Sequence, residues 1–130
     1  MIMLIREEKI VIIDEAGFSQ VCSSILEMEG FHAITLTGDD QIVSTERMRD
    51  AVLIIASYPY GKSMMDKLKG LTLPVIILCD HVGRDIIDIL EGLSHSYCMV
   101  KPIDYSRFTS LVKLLMKEED IYCNGGYRLV

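Results

Sequence analysis

Charged side chains capable of chemistry follow several of the apolar segments in this chain. Asp14 and Glu15 follow residues 9–13, Asp80 follows residues 74–79, and Lys101 follows residues 96–100. Ligands of open parallel sheets bind outside the carboxyl ends of the strands, so residues at those ends share one rim. Charged side chains there could contact a ligand bound at this rim. The same rim would carry Ile55, Ala56, Ser57 and Cys79, and these residues together are the candidates for a functional site.

Five apolar runs alternate with amphipathic stretches along the chain. The runs cover residues 9–13, 31–37, 51–56, 74–79 and 96–100. Most of these runs are apolar at nearly every position and do not alternate with polar residues as a half-exposed strand does. Such continuous apolar runs are typical of strands that are buried on both faces of a parallel sheet. Right-handed crossovers then leave few topologies. We therefore predict an α/β fold, a flavodoxin-like (βα)5 three-layer sandwich whose five parallel strands lie in the order 2-1-3-4-5.

One domain accounts for residues 9–117, with an N-terminal arm at 1–8 and a tail at 118–130. A second helix with a weak apolar stripe is expected after Gly38, with Asp39 as its N-cap. In the tail, Asn124-Gly125 separates two β-prone runs, which indicates a possible short hairpin. The length suits one core and is too short for two.

Composition excludes several classes of function. Thirteen Lys and Arg against nineteen Asp and Glu give a net charge of −6, which argues against direct binding to nucleic acid. No apolar run reaches the ~20 residues of a membrane span, and the apolar start is too short for a signal peptide. No C-x-x-C pair occurs, so the four cysteines are expected to be core thiols in a reduced, cytoplasmic protein (Cys22, Cys79, Cys98, Cys123).

The chain resembles a response-regulator receiver domain over about residues 9–117. The resemblance is carried by residues 9–15 (KIVIIDE), residues 50–55 (DAVLII) with Pro59 four residues on, residues 74–78 (PVIIL), and Lys101-Pro102. In that family two acids after the first strand help to hold Mg²⁺, an aspartate at the end of the third strand accepts a phosphoryl group, and a lysine after the fifth strand contacts it. By position, the resemblance assigns Asp14 and Glu15 to the acids and Lys101 to the lysine.

The chain departs from the family pattern at three positions. Ile55 falls where the phosphoacceptor is expected, Cys79 replaces a hydroxyl residue, and Cys98, beside Tyr97, takes the place of an aromatic switch residue. Isoleucine has no nucleophilic oxygen and cannot take a phosphoryl group. We therefore expect a pseudo-receiver with no catalytic residue, in which Lys101 pairs with Asp14.

The expected site is a remnant acidic pocket of five residues (Asp14, Glu15, Cys79, Asp80, Lys101). No cofactor or metal is expected, with Asp14 and Glu15 the weak candidates for residual Mg²⁺ binding because one carboxylate is missing. Asp80 could partly replace it.

The resemblance also implies a role. We expect a signal-transduction module, not an enzyme, that acts by phosphorylation-independent contact with a protein partner in a two-component or related pathway. The expected interaction face is formed by the fourth helix, fifth strand and fifth helix (82–117), which could also form a homodimer. Its candidate residues are Arg84, Asp88, Cys98, Arg107 and Lys113.

Two alternatives remain open from the sequence. The first is a receiver that is phosphorylated on a displaced carboxylate. The second is nucleotide binding, because residues 56–63 (ASYPYGKS) fit a relaxed P-loop pattern after a strand. Against it, a loop with Pro59 and two tyrosines offers few free backbone N–H groups for a phosphate.

Overall fold

The computed structural model describes residues 8–36, 49–117 and 127–130, and contains a six-stranded parallel sheet in the order β2-β1-β3-β4-β5-β6. The strands are β1 (Lys9–Ile13), β2 (Ala33–Leu36), β3 (Ala51–Ser57), β4 (Val75–Cys79), β5 (Ser96–Val100) and β6 (Tyr127–Leu129). The helices in these ranges are α1 (Ala16–Met28), α2 (Met65–Leu68), α3 (Arg84–Gly92) and α4 (Tyr105–Met116), with a short 3₁₀ turn at Lys62–Met64 before α2.

The predicted order of the first five strands agrees with the observed sheet, and the strand count is corrected from five to six. β6 pairs in parallel with β5, with Ser96 opposite Tyr127 and Cys98 opposite Leu129. A parallel partner requires a crossover connection, and α4 lies between β5 and β6 in the chain. Residues 118–126 of the predicted tail hairpin and the predicted second helix after Gly38 lie outside the described residues.

Two apolar layers cover the two faces of the sheet. Side chains alternate along each strand, so successive residues of β1 and β3 enter opposite layers. Ile12 and Ile55 lie in the layer with α1 and α4, whereas Ile13 and Ala56 lie in the layer with α2 and α3. Burial on both faces explains why these strands are apolar at nearly every position.

The ends of the helices follow from local chemistry. The Asp104 carboxylate accepts hydrogen bonds from the Ser106 and Arg107 backbone N–H groups at the start of α4, at 3.0 and 3.2 Å. Gly30 has a φ of +91° just after α1, a conformation that glycine adopts without a side-chain penalty. None of the helices in the described ranges is long and apolar enough to cross a membrane.

Candidate functional site

A buried ion pair lies at the carboxyl end of the sheet. Lys101 Nζ donates to Asp14 Oδ2 at 3.0 Å and to Ser57 Oγ at 3.0 Å. The three residues follow or end β5, β1 and β3, which are brought together because parallel strands present their carboxyl ends at one edge. Asp14 is 2% exposed and Ser57 is 4% exposed.

The Asp14 segment is held by two further hydrogen bonds. Asp14 Oδ1 accepts from the Glu15 backbone N–H at 2.8 Å, so both carboxylate oxygens have a donor. The Ser19 hydroxyl, in α1, donates to the Asp14 backbone carbonyl at 3.0 Å. These contacts fix the buried carboxylate with its charge compensated, as a buried charge requires.

The Lys101 ammonium is also placed over an aromatic ring. Its Nζ lies 4.2 Å from the centre of the Phe18 ring, a cation–π geometry. The ammonium is thus surrounded by a carboxylate, a hydroxyl and a ring face. The formal charges of Asp14 and Lys101 are opposite, and Ser57 is neutral.

The other predicted pocket residues do not join these contacts. Glu15 and Asp80 are exposed to solvent, and Cys79 is buried beside Cys98, with the two sulfur atoms 3.5 Å apart. Among the residues that the structure describes, no group of three or more His, Cys, Asp or Glu side chains is arranged to hold a metal ion.

Ser57, and not Ile55, is the β3 residue beside the lysine. β1 and β3 pair with Ile12 opposite Ile55 and Ile13 opposite Ala56, so the continuation of that register brings Asp14 alongside Ser57. Ile55 is fully buried in the apolar layer under α1 and α4. β3 continues to Ser57, two residues beyond Ile55, the position that the resemblance assigns to the phosphoacceptor.

The thiols near the site are poor nucleophiles. Burial, aided by the Asp14 charge, raises the pKa of Cys22 to about 12. Burial and a hydrogen bond with Cys79 raise the pKa of Cys98 to about 12. Because the thiolate is the reactive form, both cysteines act as core residues at neutral pH.

Several backbone N–H groups of the segment that fits a P-loop pattern are already hydrogen-bonded within the protein. Ser57 ends β3, and its carbonyl accepts from the Gly61 N–H at 2.7 Å, while the Lys62 N–H donates to the Pro59 carbonyl at 3.0 Å. A phosphate-binding nest needs such N–H groups pointing at the ligand. This geometry weighs against nucleotide binding at residues 56–63.

The predicted interaction-face residues occupy different environments. Arg84 and Asp88 pair on the exposed surface of α3 at 3.3 Å, and Arg107 is exposed on α4. Lys113 instead pairs with Glu29 next to α1 at 2.8 Å. Cys98 is buried and cannot contact a partner directly.

A hydrogen bond joins two of the loops at the carboxyl end of the sheet. The Tyr58 hydroxyl donates to Asp85 Oδ2 at 2.8 Å, which connects the loop after β3 to the first turn of α3. This bond raises the pKa of Tyr58 and lowers the pKa of Asp85 from their ordinary values. Both shifts favour the hydrogen-bonded pair, in which Tyr58 keeps its proton and Asp85 is ionised.

Acidification is expected to weaken the fold through His95, whose Nε2 lies 2.7 Å from the Tyr97 hydroxyl. Burial lowers the pKa of His95 from 6.5. Its contribution to stability is therefore complete above pH 6.5 and is lost as the pH falls through the folded-state pKa. Urea unfolding between pH 7.5 and 5 should show a decline that His95→Gln reduces, with His32→Gln, an exposed position, as the control. Equal declines in both variants would contradict this role.

Several solved structures have a fold similar to that of this chain. A two-component response regulator from Clostridium difficile superposes with a TM-score of 0.74 at 18% identity, over 87% of this chain and 98% of that one. A response regulator from Thermotoga maritima gives a TM-score of 0.70 at 15% identity, over 85% and 98%. A CheY-like receiver domain from Methylobacillus flagellatus gives 0.63 at 16% identity, over 83% and 98%.

These likenesses establish a receiver-like fold. No protein-family profile and no curated protein sequence matches the chain.

Proposed function

We propose that the protein is a receiver-like signalling module that acts by contact with a protein partner and does not depend on phosphorylation. The observation that carries the proposal is the environment of Lys101. Its ammonium is already paired with the buried Asp14 carboxylate, and the third member of the cluster is the neutral Ser57. The chain is accordingly not an enzyme, and its working surface is the face formed by α3, β5 and α4.

The charge balance supports this role. A phosphoryl group at this position would bring negative charge beside the buried Asp14 carboxylate, and in the receiver family Mg²⁺ offsets that repulsion. Mg²⁺ binds through several carboxylate and phosphate oxygens. Here Glu15 is exposed, Asp14 already accepts from two donors, and within the described ranges Asp14 is the carboxylate that pairs with the lysine.

Ser57 does not supply the missing nucleophile. A serine hydroxyl attacks phosphorus only when a general base removes its proton. The group that contacts Ser57 Oγ is the Lys101 ammonium, a hydrogen-bond donor that also contacts Asp14. The hydroxyl therefore serves as a hydrogen-bond acceptor for Lys101.

The experiment is the intact mass of the protein after incubation with acetyl phosphate and Mg²⁺. We expect no change, beside a typical receiver domain that gains one phosphoryl group under the same conditions. A gain that hydroxylamine removes would indicate an acyl phosphate and favour the displaced-carboxylate alternative, with Asp80→Asn and Asp14→Asn locating it. A gain that resists hydroxylamine and is lost in Ser57→Ala would assign an ester to Ser57 and also overturn the proposal.

A further inference from the structure

The outer edge of β5 is occupied by residues 127–130. β6 pairs with Ser96–Cys98, and the Val130 backbone N–H donates to the Cys98 carbonyl at 2.8 Å. The register with β6 ends at Cys98, and Val100, at the end of β5, is 44% exposed. A three-residue strand thus covers the greater part of a five-residue edge.

β6 contributes few buried side chains. Leu129 is 56% exposed and Val130 is 39% exposed, and Arg128 also faces solvent. Tyr127, which is partly buried, packs against the apolar layer with α2 and α3. The strand is consequently held mainly by its backbone hydrogen bonds to β5, and segments with so little apolar burial open first.

β5 does not depend on β6 for its position. Its residues Ser96–Met99 are buried, and it pairs along its full length with β4. When β6 leaves, β5 therefore stays in the sheet and presents a row of backbone N–H and C=O groups. Such an edge pairs readily with another strand.

The composition of β5 favours pairing with a second copy of itself. The strand reads Ser-Tyr-Cys-Met-Val and carries no charged side chain, so two β5 edges brought together would place no like charges opposite each other. Natural edge strands are usually protected by charged residues. β6 has such a residue, Arg128, at its centre.

We propose that Tyr127–Val130 is an intramolecular cover of the β5 edge, and that displacement of the cover lets two copies of the chain pair β5 to β5. A two-fold axis would make this pairing antiparallel and join the two sheets. The inference rests on the proposed role of the α3, β5 and α4 face, and it names both the partner and the element that controls access to it.

The test removes one backbone donor. Val130→Pro deletes the N–H that bonds to Cys98, whereas the matched control Val130→Ala keeps it and changes only the side chain. Sedimentation equilibrium of the full chain should give the monomer mass for the wild type and Val130→Ala, and twice that mass for Val130→Pro. A monomeric Val130→Pro variant, or a wild type that dimerises equally well, would overturn the inference.

A second variant assigns the surface. Val130→Pro with Val100→Lys, which places a charge on the exposed end of β5, is expected to return to the monomer mass. A dimer that persists would place the contact elsewhere and refute the assignment to β5.

Hydrogen exchange on the wild type gives a readout that does not require the proline variant to fold. The Val130 amide should exchange on the order of 100-fold faster than the amides of β4, and equal protection would contradict the cover. Neither measurement depends on phosphoryl labelling, so a failure here is distinguishable from a failure of the proposed function.

Discussion

Lys101→Met is expected to lower the free energy of unfolding by roughly 2–4 kcal/mol, because it leaves the buried Asp14 carboxylate without its counter-ion. This loss of stability is smaller than the loss expected on breaking a fully buried ion pair, because the Lys101 side chain is 20% exposed and water partly screens the interaction. Methionine keeps most of the apolar stem of the lysine, so loss of packing contributes little. Urea unfolding at pH 7 measures the change.

The double variant Asp14→Asn, Lys101→Met separates charge from packing. Asparagine retains an oxygen that can accept from the Glu15 N–H, and the double variant buries no unpaired charge. It should therefore be more stable than the Lys101→Met variant. A double-mutant cycle, which compares the wild type, both single variants and the double variant, measures the coupling energy between the two residues. If Lys101→Met were as stable as the wild type, the ion pair would not be a structural element, and the basis of the proposed function would weaken.

Ile55→Asp is expected to unfold the domain, at a cost above about 4 kcal/mol. Ile55 is fully buried in an apolar layer that includes Leu53, Ile76 and Phe108. An unpaired buried charge is among the most costly substitutions in a core. Far-ultraviolet circular dichroism and urea unfolding measure the effect, with Ile55→Val as the control for volume alone.

Ser57→Asp is the matched comparison for the position of the site. The new carboxylate would lie beside the Lys101 ammonium, so the variant is expected to fold, with an acidic pair at the carboxyl end of β1 and β3. A folded Ile55→Asp protein together with an unfolded Ser57→Asp protein would return the acceptor position to Ile55.

Much of the fold could be predicted because apolar periodicity reports burial directly. The non-alternating runs at 51–56 and 74–79 indicated strands covered on both faces, and chain order with right-handed crossovers then fixed the order of the first five strands. β6 escaped prediction as a sixth strand of the sheet. Three residues are too few to show the two-residue period of a strand, and the partner of β6 is β5, about 30 residues earlier in the chain.

The candidate site was predicted in part for a similar reason. The pairing of Asp14 with Lys101 followed from their positions at strand ends, and it is observed. The contact between Lys101 and Ser57 is not predicted, because the resemblance draws attention to Ile55 as the position of interest on the third strand. The end of the apolar run is the better signal, since a small polar residue such as Ser57 marks the point where a buried strand meets the rim.

The neighbouring thiols of Cys79 and Cys98 illustrate how strand register limits covalent chemistry. Their sulfur atoms are 3.5 Å apart, but Cys98 lies opposite Ile77, two residues before Cys79 on β4. Two residues advance a strand by about 6.6 Å and neighbouring strands lie about 4.8 Å apart. The α-carbons are thus separated by about 8 Å, beyond the ~7 Å limit for a disulfide without backbone movement. The sheet therefore holds the two sulfur atoms in contact, while the separation of the α-carbons opposes the formation of a disulfide between them.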